Sequence, residues 1–214
     1  MQAARGASLN SSDPADQDPS DHDRAASDRT GRRTRPRVLF AIVALAAYAV
    51  DLGSKEWALA VLPDGDIPVL GDLLTLHLTF NPGAAFSTGT DFTIVFTCLA
   101  IVAVLVVLWL SRRIGSTGWA LALGLLLGGV AGNLTDRIFR EPEPFHGHVV
   151  DFLMLPSWPV FNVADMCINV AAALIIWQTF RGIALDGTRE SDATSDTTSD
   201  STSDSTSDTS ETEA

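Results

Sequence analysis

Four long apolar stretches interrupt an otherwise polar chain. They cover residues 38–62, 92–110, 119–134 and 159–180. A helix needs about 20 mainly apolar residues to cross the hydrocarbon core of a bilayer at 1.5 Å per residue. The second stretch contains no charged residue, which makes it the clearest of the four. The pattern predicts four transmembrane helices.

A different periodicity occurs between the first two stretches. Residues 73–80, "LLTLHLTF", alternate apolar side chains with Thr or His, which is typical of a strand with one buried face. We therefore expect an all-α polytopic membrane protein with four transmembrane helices. A small β-strand region and a loop should lie on the outer side, and the two tails should be disordered.

Composition separates the tails from this apolar middle. Residues 1–35 contain no aromatic side chain, and residues 191–208 repeat Ser-Asp every four positions. Neither segment can bury enough apolar surface to offset the entropy lost on ordering. The predicted organisation is a disordered cytoplasmic tail at 1–35, a membrane domain at 36–182 and a disordered acidic cytoplasmic tail at 183–214.

Charge predicts the orientation of the chain. Between residues 186 and 214, nine acids and one base account for −8 of the formal net charge of −12, so the acidity belongs to a tail. Arginines occur before the first span at residues 32–37, between the second and third spans at 112–113 and after the fourth span at 181, whereas the pair at 137 and 140 departs slightly from this pattern. The positive-inside rule therefore places both termini in the cytoplasm. The same basic clusters flank membrane spans rather than forming a nucleic-acid surface, and we expect no nucleic-acid partner.

The first apolar stretch also admits a second interpretation. A basic flank precedes it, and "AYA" at residues 47–49 is typical of a signal-sequence cleavage site. The apolar character resumes after Asp51 and three more apolar stretches follow, which favours a retained span.

Ionisable residues inside the spans indicate function, because each one costs at least about 2.5 kcal/mol in a bilayer. Asp51 and Lys55 are four residues apart and can pair on one helix face. Glycines at every fourth position in residues 124–132 form a smooth strip that lets another helix approach closely. One face at the end of that span combines Asn133, Asp136 and Arg137.

The fourth span carries Asn162, Asp165 and Asn169 on one face. Asp151 precedes this span, and the loop after it is long enough to fold back. Two carboxylates that meet in a poorly solvated site share a proton, so that one serves as acid and the other as base. Such a pair can activate a water molecule toward an amide without a metal ion. His146 and His148 lack a third convincing ligand, and we predict neither a metal site nor a cofactor.

Five motifs in this order resemble those of the lipoprotein signal peptidases, the type II signal peptidases of bacteria. They are "VDLGSKEWA" around Asp51, "NPGAAFS" from Asn81, "GGVAGNLTDR" ending at Arg137, "VVDF" around Asp151 and "PVFNVAD" ending at Asp165. Together with the four spans among which they lie, they cover residues 38–181, and the combination is far more specific than any single motif.

The resemblance implies an aspartic endopeptidase of the bacterial cytoplasmic membrane, with its active site near the outer face. Its substrates would be diacylglyceryl-modified prolipoproteins that enter from the membrane lipid and are cut on the amino side of the lipidated cysteine. The implied catalytic pair is Asp151 and Asp165, and we expect a monomer. The implied supporting residues are Asp51, Lys55, Asn81, Gly83, Asn133, Asp136, Arg137, Asn162 and Ala164.

Three alternatives remain open at this point. Asp136 lies at an outer helix end within a polar motif and could replace Asp151 in the pair. A small proton-coupled transporter could use Asp51, Asp136 and Asp165 as a relay. A membrane scaffold would instead depend on the acidic tail at residues 191–214.

Overall fold

A computed structural model describes the protein over residues 19–83 and 93–189. Its elements are α1 (Pro19–Val61), β1 (Ile67–Leu70), β2 (Leu74–Asn81), α2 (Thr93–Ser111), α3 (Thr117–Phe139), β3 (Val149–Met154) and α4 (Val163–Phe180). The second half of the "NPGAAFS" motif and the acidic repeats at 191–208 lie outside the described residues.

All four helices contain a segment that is long and apolar enough to cross a membrane. These segments are Thr34–Val61, Thr93–Ser111, Thr117–Phe139 and Val163–Phe180. Many of their large apolar side chains are exposed, for example Leu99 at 63% and Leu105 at 60%. A surface of this kind is stable when lipid covers it. The four predicted spans are confirmed.

Helix α3 lies at the centre of the bundle and packs against α1, α2 and α4. Its glycine strip makes the close approach to α1 possible. A Cβ atom on Gly124 would touch Val43, one on Gly128 would overlap Ala47, and one on Gly132 would overlap the Asp51 carboxylate. The predicted role of the strip in helix packing is confirmed.

A three-stranded antiparallel sheet in the order β1-β2-β3 lies at one end of the bundle. The strand predicted at residues 73–80 is confirmed as β2. Strand β3 was not predicted, because a short apolar run next to a membrane span has no periodicity that distinguishes a strand from a helix. In β3 Asp151 pairs with Thr79 of β2, so the sheet fixes the position of this carboxylate.

The fourth helix begins later than predicted. The predicted span begins at residue 159, but Phe161 forms backbone hydrogen bonds with Leu153 of β3, and α4 begins at Val163. Asn162 caps the helix with its side chain, and Asp165 consequently lies in the first turn.

Two segments with regular backbone continue beyond the bounds predicted for the membrane domain. Helix α1 begins at Pro19, so its backbone is helical over residues 19–35. Extending an existing helix adds hydrogen bonds without the cost of nucleation, and Arg and Ala are good helix formers. At the other end, residues 183–189 form a turn closed by a bridge between Ile183 and Arg189. This turn is held by Trp119, whose indole Nε1 donates to the Ile183 carbonyl over 2.8 Å.

Candidate active site

Asp151 lies on β3 with its side chain buried at 1% exposure. Two amide groups donate to its oxygens. Asn81 Nδ2 lies 2.9 Å from Oδ2, and Asn162 Nδ2 lies 2.6 Å from Oδ1. Asn81 is the last residue of β2 and Asn162 caps α4, so the carboxylate is held between the sheet and the helix start.

Asp165 lies in the first turn of α4 and is half-buried. Its backbone N–H donates to Asn162 Oδ1 over 3.0 Å, and Asn162 N–H donates back to Asp165 Oδ2 over 3.2 Å. These reciprocal bonds form a capping box, which satisfies backbone donors that a helix start otherwise leaves without partners. Asn133 Nδ2 of α3 donates to the other oxygen of Asp165 over 2.9 Å.

Asn162 therefore contacts both aspartates and fixes their relative position. Its Nδ2 bonds to Asp151, while its backbone N–H bonds to Asp165. Burial raises the pKa of Asp151 to about 7, and the negative charge of Asp165 adds to this rise. Hydrogen bonds from Asn81 and Asn162 act in the opposite direction, because donors stabilise the ionised carboxylate. Asp151 can consequently carry a proton near neutral pH.

Lys55 of α1 is fully buried and connects three side chains behind this pair. Its Nζ lies 2.8 Å from Asp51 Oδ2, 2.8 Å from Asp136 Oδ2 and 2.9 Å from Asn133 Oδ1. The predicted pair between Asp51 and Lys55 is confirmed. Because Asn133 also donates to Asp165, the lysine is one hydrogen bond removed from the candidate site.

Asp51 has a second contact that explains why its carboxylate is buried. Its Oδ1 accepts from the backbone N–H of Ala164 over 2.8 Å. Ala164 lies in the first turn of α4, where a carboxylate stabilises both the free N–H groups and the positive end of the helix dipole. Asp51 thus ties α1 to the helix start that carries Asp165.

Asp136 is occupied by structural contacts on both oxygens. Arg140 Nε lies 2.5 Å from Oδ1, while Lys55 and the backbone N–H of Val150 share Oδ2. Arg140 also donates to Glu56 over 2.7 Å. Arg140 and Glu56 were not among the predicted site residues, although the four-residue spacing of Asp136 and Arg140 indicates a pair on one helix face.

Arg137, the next residue of α3, contacts a different part of the chain from Asp136. Its Nη1 donates to the Pro82 carbonyl over 3.4 Å, and the guanidinium lies over the Phe96 ring at 5.9 Å. It also interacts electrostatically with Asp151 and Asp165. Gly83 beside it adopts a φ of +122°, and a Cβ atom there would press on Phe96, so both conformation and space require glycine.

A comparison with protein families identifies the family of this chain. A family model described as signal peptidase (SPase) II matches residues 43–181, which include the first-turn aspartate of α4 and the whole charged network. The chain belongs to the signal peptidase II family. As a member of this family it is a peptidase of lipoprotein processing with four membrane-spanning helices.

Individual relatives of this signal peptidase II agree with the family match. A lipoprotein signal peptidase from Streptomyces coelicolor is 48% identical over 168 residues, covering 78% of this chain and 82% of that protein. The Leifsonia xyli subsp. xyli protein of the same name is 45% identical over 170 residues, covering 78% and 79%. The one from Mycobacterium tuberculosis is 43% identical over 164 residues, covering 75% and 80%.

Two solved structures share the fold of this signal peptidase II. Both are described as bacterial membrane enzyme structures obtained by the in meso method, at 2.3 Å and 1.9 Å resolution. Their TM-scores are 0.59 and 0.58 at 22% identity. The alignments cover 66% and 65% of this chain and 87% and 91% of those chains.

The predicted site residues of the peptidase all lie at the end of the bundle that carries the sheet. Those contacting the aspartate pair directly are Asn81, Asn133 and Asn162. The others hold the surrounding elements together: Asp51, Lys55, Gly83, Asp136, Arg137 and Ala164. Within residues 19–83 and 93–189, no three His, Cys, Asp or Glu side chains come together as metal ligands.

Proposed function

We propose that this peptidase removes signal peptides from diacylglyceryl-modified prolipoproteins, cutting on the amino side of the lipidated cysteine with Asp151 and Asp165 as its catalytic pair. The observation that carries this proposal is the single side chain of Asn162, which is bonded to one aspartate through its amide and caps the helix turn of the other. Membership of the signal peptidase II family supplies the class of substrate.

In the proposed reaction the two carboxylates act as base and acid. Asp165 takes a proton from a water molecule while the water oxygen attacks the carbonyl carbon of the scissile bond. Protonated Asp151 donates to the carbonyl oxygen as the tetrahedral intermediate forms. Collapse of this intermediate returns that proton to Asp151, and the departing nitrogen takes the proton held by Asp165.

The environments of the two aspartates support this division of roles. Burial and the neighbouring charge of Asp165 raise the pKa of Asp151 to about 7, so Asp151 can hold a proton near physiological pH. Asp165 is less buried than Asp151, so a water molecule can approach its carboxylate more readily. Asp136 is a poor substitute for Asp151, because Lys55 and Arg140 already engage its oxygens.

The same pairing argues against a proton relay in a transporter. A relay through Asp51 and Asp136 would require both carboxylates to exchange protons freely. Both carboxylates are instead fully buried and held in place by the Lys55 ammonium, whose Nζ lies 2.8 Å from each of them.

The position of the site fits a substrate that is anchored in lipid. The aspartates lie at the sheet end of the bundle, whereas Arg112, Arg113 and Arg181 lie at the other end. By the positive-inside rule the arginine end faces the cytoplasm with both termini, and the site lies near the outer face. A lipidated cysteine could then enter sideways between the helices to a single copy of the chain.

The test is to incubate purified protein in lipid nanodiscs with a diacylglyceryl-modified precursor peptide and with its unlipidated twin, and to weigh the products. We expect a single cut before the lipidated cysteine and at least about 100-fold slower turnover of the twin, because the lipid contributes binding energy. Cleavage elsewhere, or equal rates for the two peptides, would contradict the proposed specificity.

A further inference from the structure

A cavity of about 370 Å³ opens at the end of the bundle opposite to the aspartates. Its wall combines the start of the apolar part of α1, the end of α2 with the following connection, and the turn after α4. The lining residues are Arg37, Arg112, Arg113, Ile114, Gly115, Ala184, Leu185 and Asp186. None of them belongs to the site described above.

The cavity is built by specific contacts between distant parts of the chain. The backbone N–H of Gly115 donates to the Leu185 carbonyl over 3.0 Å. A Cβ atom on Gly115 would overlap the backbone of Asp186, so the close approach requires glycine at this position. Trp119 adds the bond to Ile183 described above, and the turn at residues 183–189 is thereby fixed beside the arginines.

Two of the three arginines are held in place by their neighbours. Arg37 donates to the backbone carbonyl of Arg112 at the end of α2. The Arg113 guanidinium lies over the Trp109 ring, 4.9 Å from its centroid. The only acid in the lining, Asp186, accepts at Oδ1 from the N–H and hydroxyl of Thr188. The lining thus presents an excess of two positive charges.

Apolar surface continues from this charged cavity along the membrane helices. Val38 follows Arg37 on α1, and Trp109 lies in the last turn of α2, four residues before Arg113. Both side chains are exposed, at 56% and 53%. Positive charge at the head of an exposed apolar surface matches an anionic phospholipid, which presents a phosphate above its acyl chains.

We propose that this cavity binds the headgroup phosphate of an anionic phospholipid, whose acyl chains lie along the exposed faces of α1 and α2. The arginines donate to the phosphate oxygens, because guanidinium groups match phosphate geometry. The site is independent of the proposed peptidase reaction and holds a structural lipid at the opposite membrane face.

The experiment is native mass spectrometry of the full chain after transfer from nanodiscs with equal amounts of phosphatidylglycerol and phosphatidylcholine. We expect phosphatidylglycerol to be retained preferentially. Arg112→Gln/Arg113→Gln should retain it about 30-fold less, since each basic residue near the surface contributes about 1 kcal/mol, which is about fivefold in affinity. Arg181→Gln is the matched control and should behave as the parent, because Arg181 lies at the same end but outside the lining.

Several outcomes would overturn the proposal. Equal retention of the two lipids, or unchanged retention by the double variant, would show that the arginines bind no headgroup. Displacement of the lipid by millimolar inorganic phosphate would indicate a site for free anions. If lipid is retained only after Asp192, Asp196, Asp200, Asp204 and Asp208 are all changed to Asn in the full chain, the acidic tail is the occupant.

A loss of fold could imitate a loss of binding in the double variant. Arg113→Gln alone removes only a guanidinium that lies on the exposed face of Trp109. This single variant should keep the unfolding temperature of the parent and still retain less phosphatidylglycerol. Parent-like retention by a folded Arg113→Gln variant would contradict the role assigned to this residue. Cleavage of precursor plays no part in this readout, so it is decided separately from the peptidase proposal.

Discussion

Replacing Lys55 by methionine tests the charged network on which the candidate site rests. Methionine keeps most of the side-chain volume and removes only the ammonium. Lys55 is fully buried and lies 2.8 Å from both Asp51 and Asp136. Asp136 would keep its contact with Arg140, but Asp51 would keep only the Ala164 N–H among the contacts described above.

The expected cost follows from removing one partner of a buried ion pair. Such a change leaves a buried charge uncompensated and destabilises a protein by about 3–5 kcal/mol. This corresponds to a decrease of roughly 10²- to 4 × 10³-fold in the folding equilibrium constant. Adding Asp51→Asn to Lys55→Met removes the uncompensated charge and should restore at least about 1.5 kcal/mol, as expected for two groups in contact.

The assay is unfolding in mixed micelles with increasing denaturing detergent, followed by circular dichroism. Glu56→Gln is the matched control, because Glu56 is the next residue of α1 and its pair with Arg140 is exposed, at 61% for the glutamate side chain. Exposed pairs contribute about 1 kcal/mol or less. The reasoning would be refuted if Lys55→Met lowered the free energy of unfolding no more than Glu56→Gln does. It would also be refuted if adding Asp51→Asn restored none of that free energy.

Three further predictions concern the site and its supports. Cleavage should need protonated Asp151, so its rate should fall about tenfold per pH unit above about 7. Asn81→Ala removes a hydrogen bond that lowers this pKa, and the alkaline limb of the pH–rate profile should move to higher pH; an unmoved limb would contradict the assignment. Gly132→Ala would overlap the Asp51 carboxylate and should destabilise by about 1–3 kcal/mol in the same unfolding assay, whereas Gly53→Ala has open space and should stabilise slightly. Equal effects would argue against close packing of α1 on α3. Asn162→Ala removes the helix cap and should lower the free energy of unfolding by about 1 kcal/mol. The cleavage rate should fall by far more than this loss of stability explains. A fall in rate that matches the loss of stability would make the residue purely structural.

The membrane architecture was predictable because each span must satisfy its backbone within one helix and face lipid with apolar side chains. That requirement is visible in any window of about 20 residues. The pair of Asp51 and Lys55 and the packing role of the glycine strip were predictable for a similar reason. Both depend on spacing within a single helix.

Features that depend on distant parts of the chain could not be predicted. Strand β3 forms because the edge of β2, some 70 residues earlier in the chain, is available for pairing. The six residues of β3 contain no pattern that indicates this pairing. Helix α4 begins at Val163 rather than at residue 159, because the backbone of Phe161 pairs with Leu153 of β3 instead of continuing the helix. The contact of Arg140 with Glu56 joins residues 84 positions apart and leaves no local pattern.

The central claim is that Asp151 and Asp165 act as one catalytic unit on the lipidated precursor. The most direct measurement is the single-turnover cleavage rate of Asp151→Asn, Asp165→Asn and the double variant, with Asp72→Asn as an exposed-aspartate control. We predict that each single variant loses at least about 10³-fold, that the double variant is hardly slower than either, and that the control keeps the parent rate. Cleavage by either single variant within about tenfold of the parent rate would contradict the account.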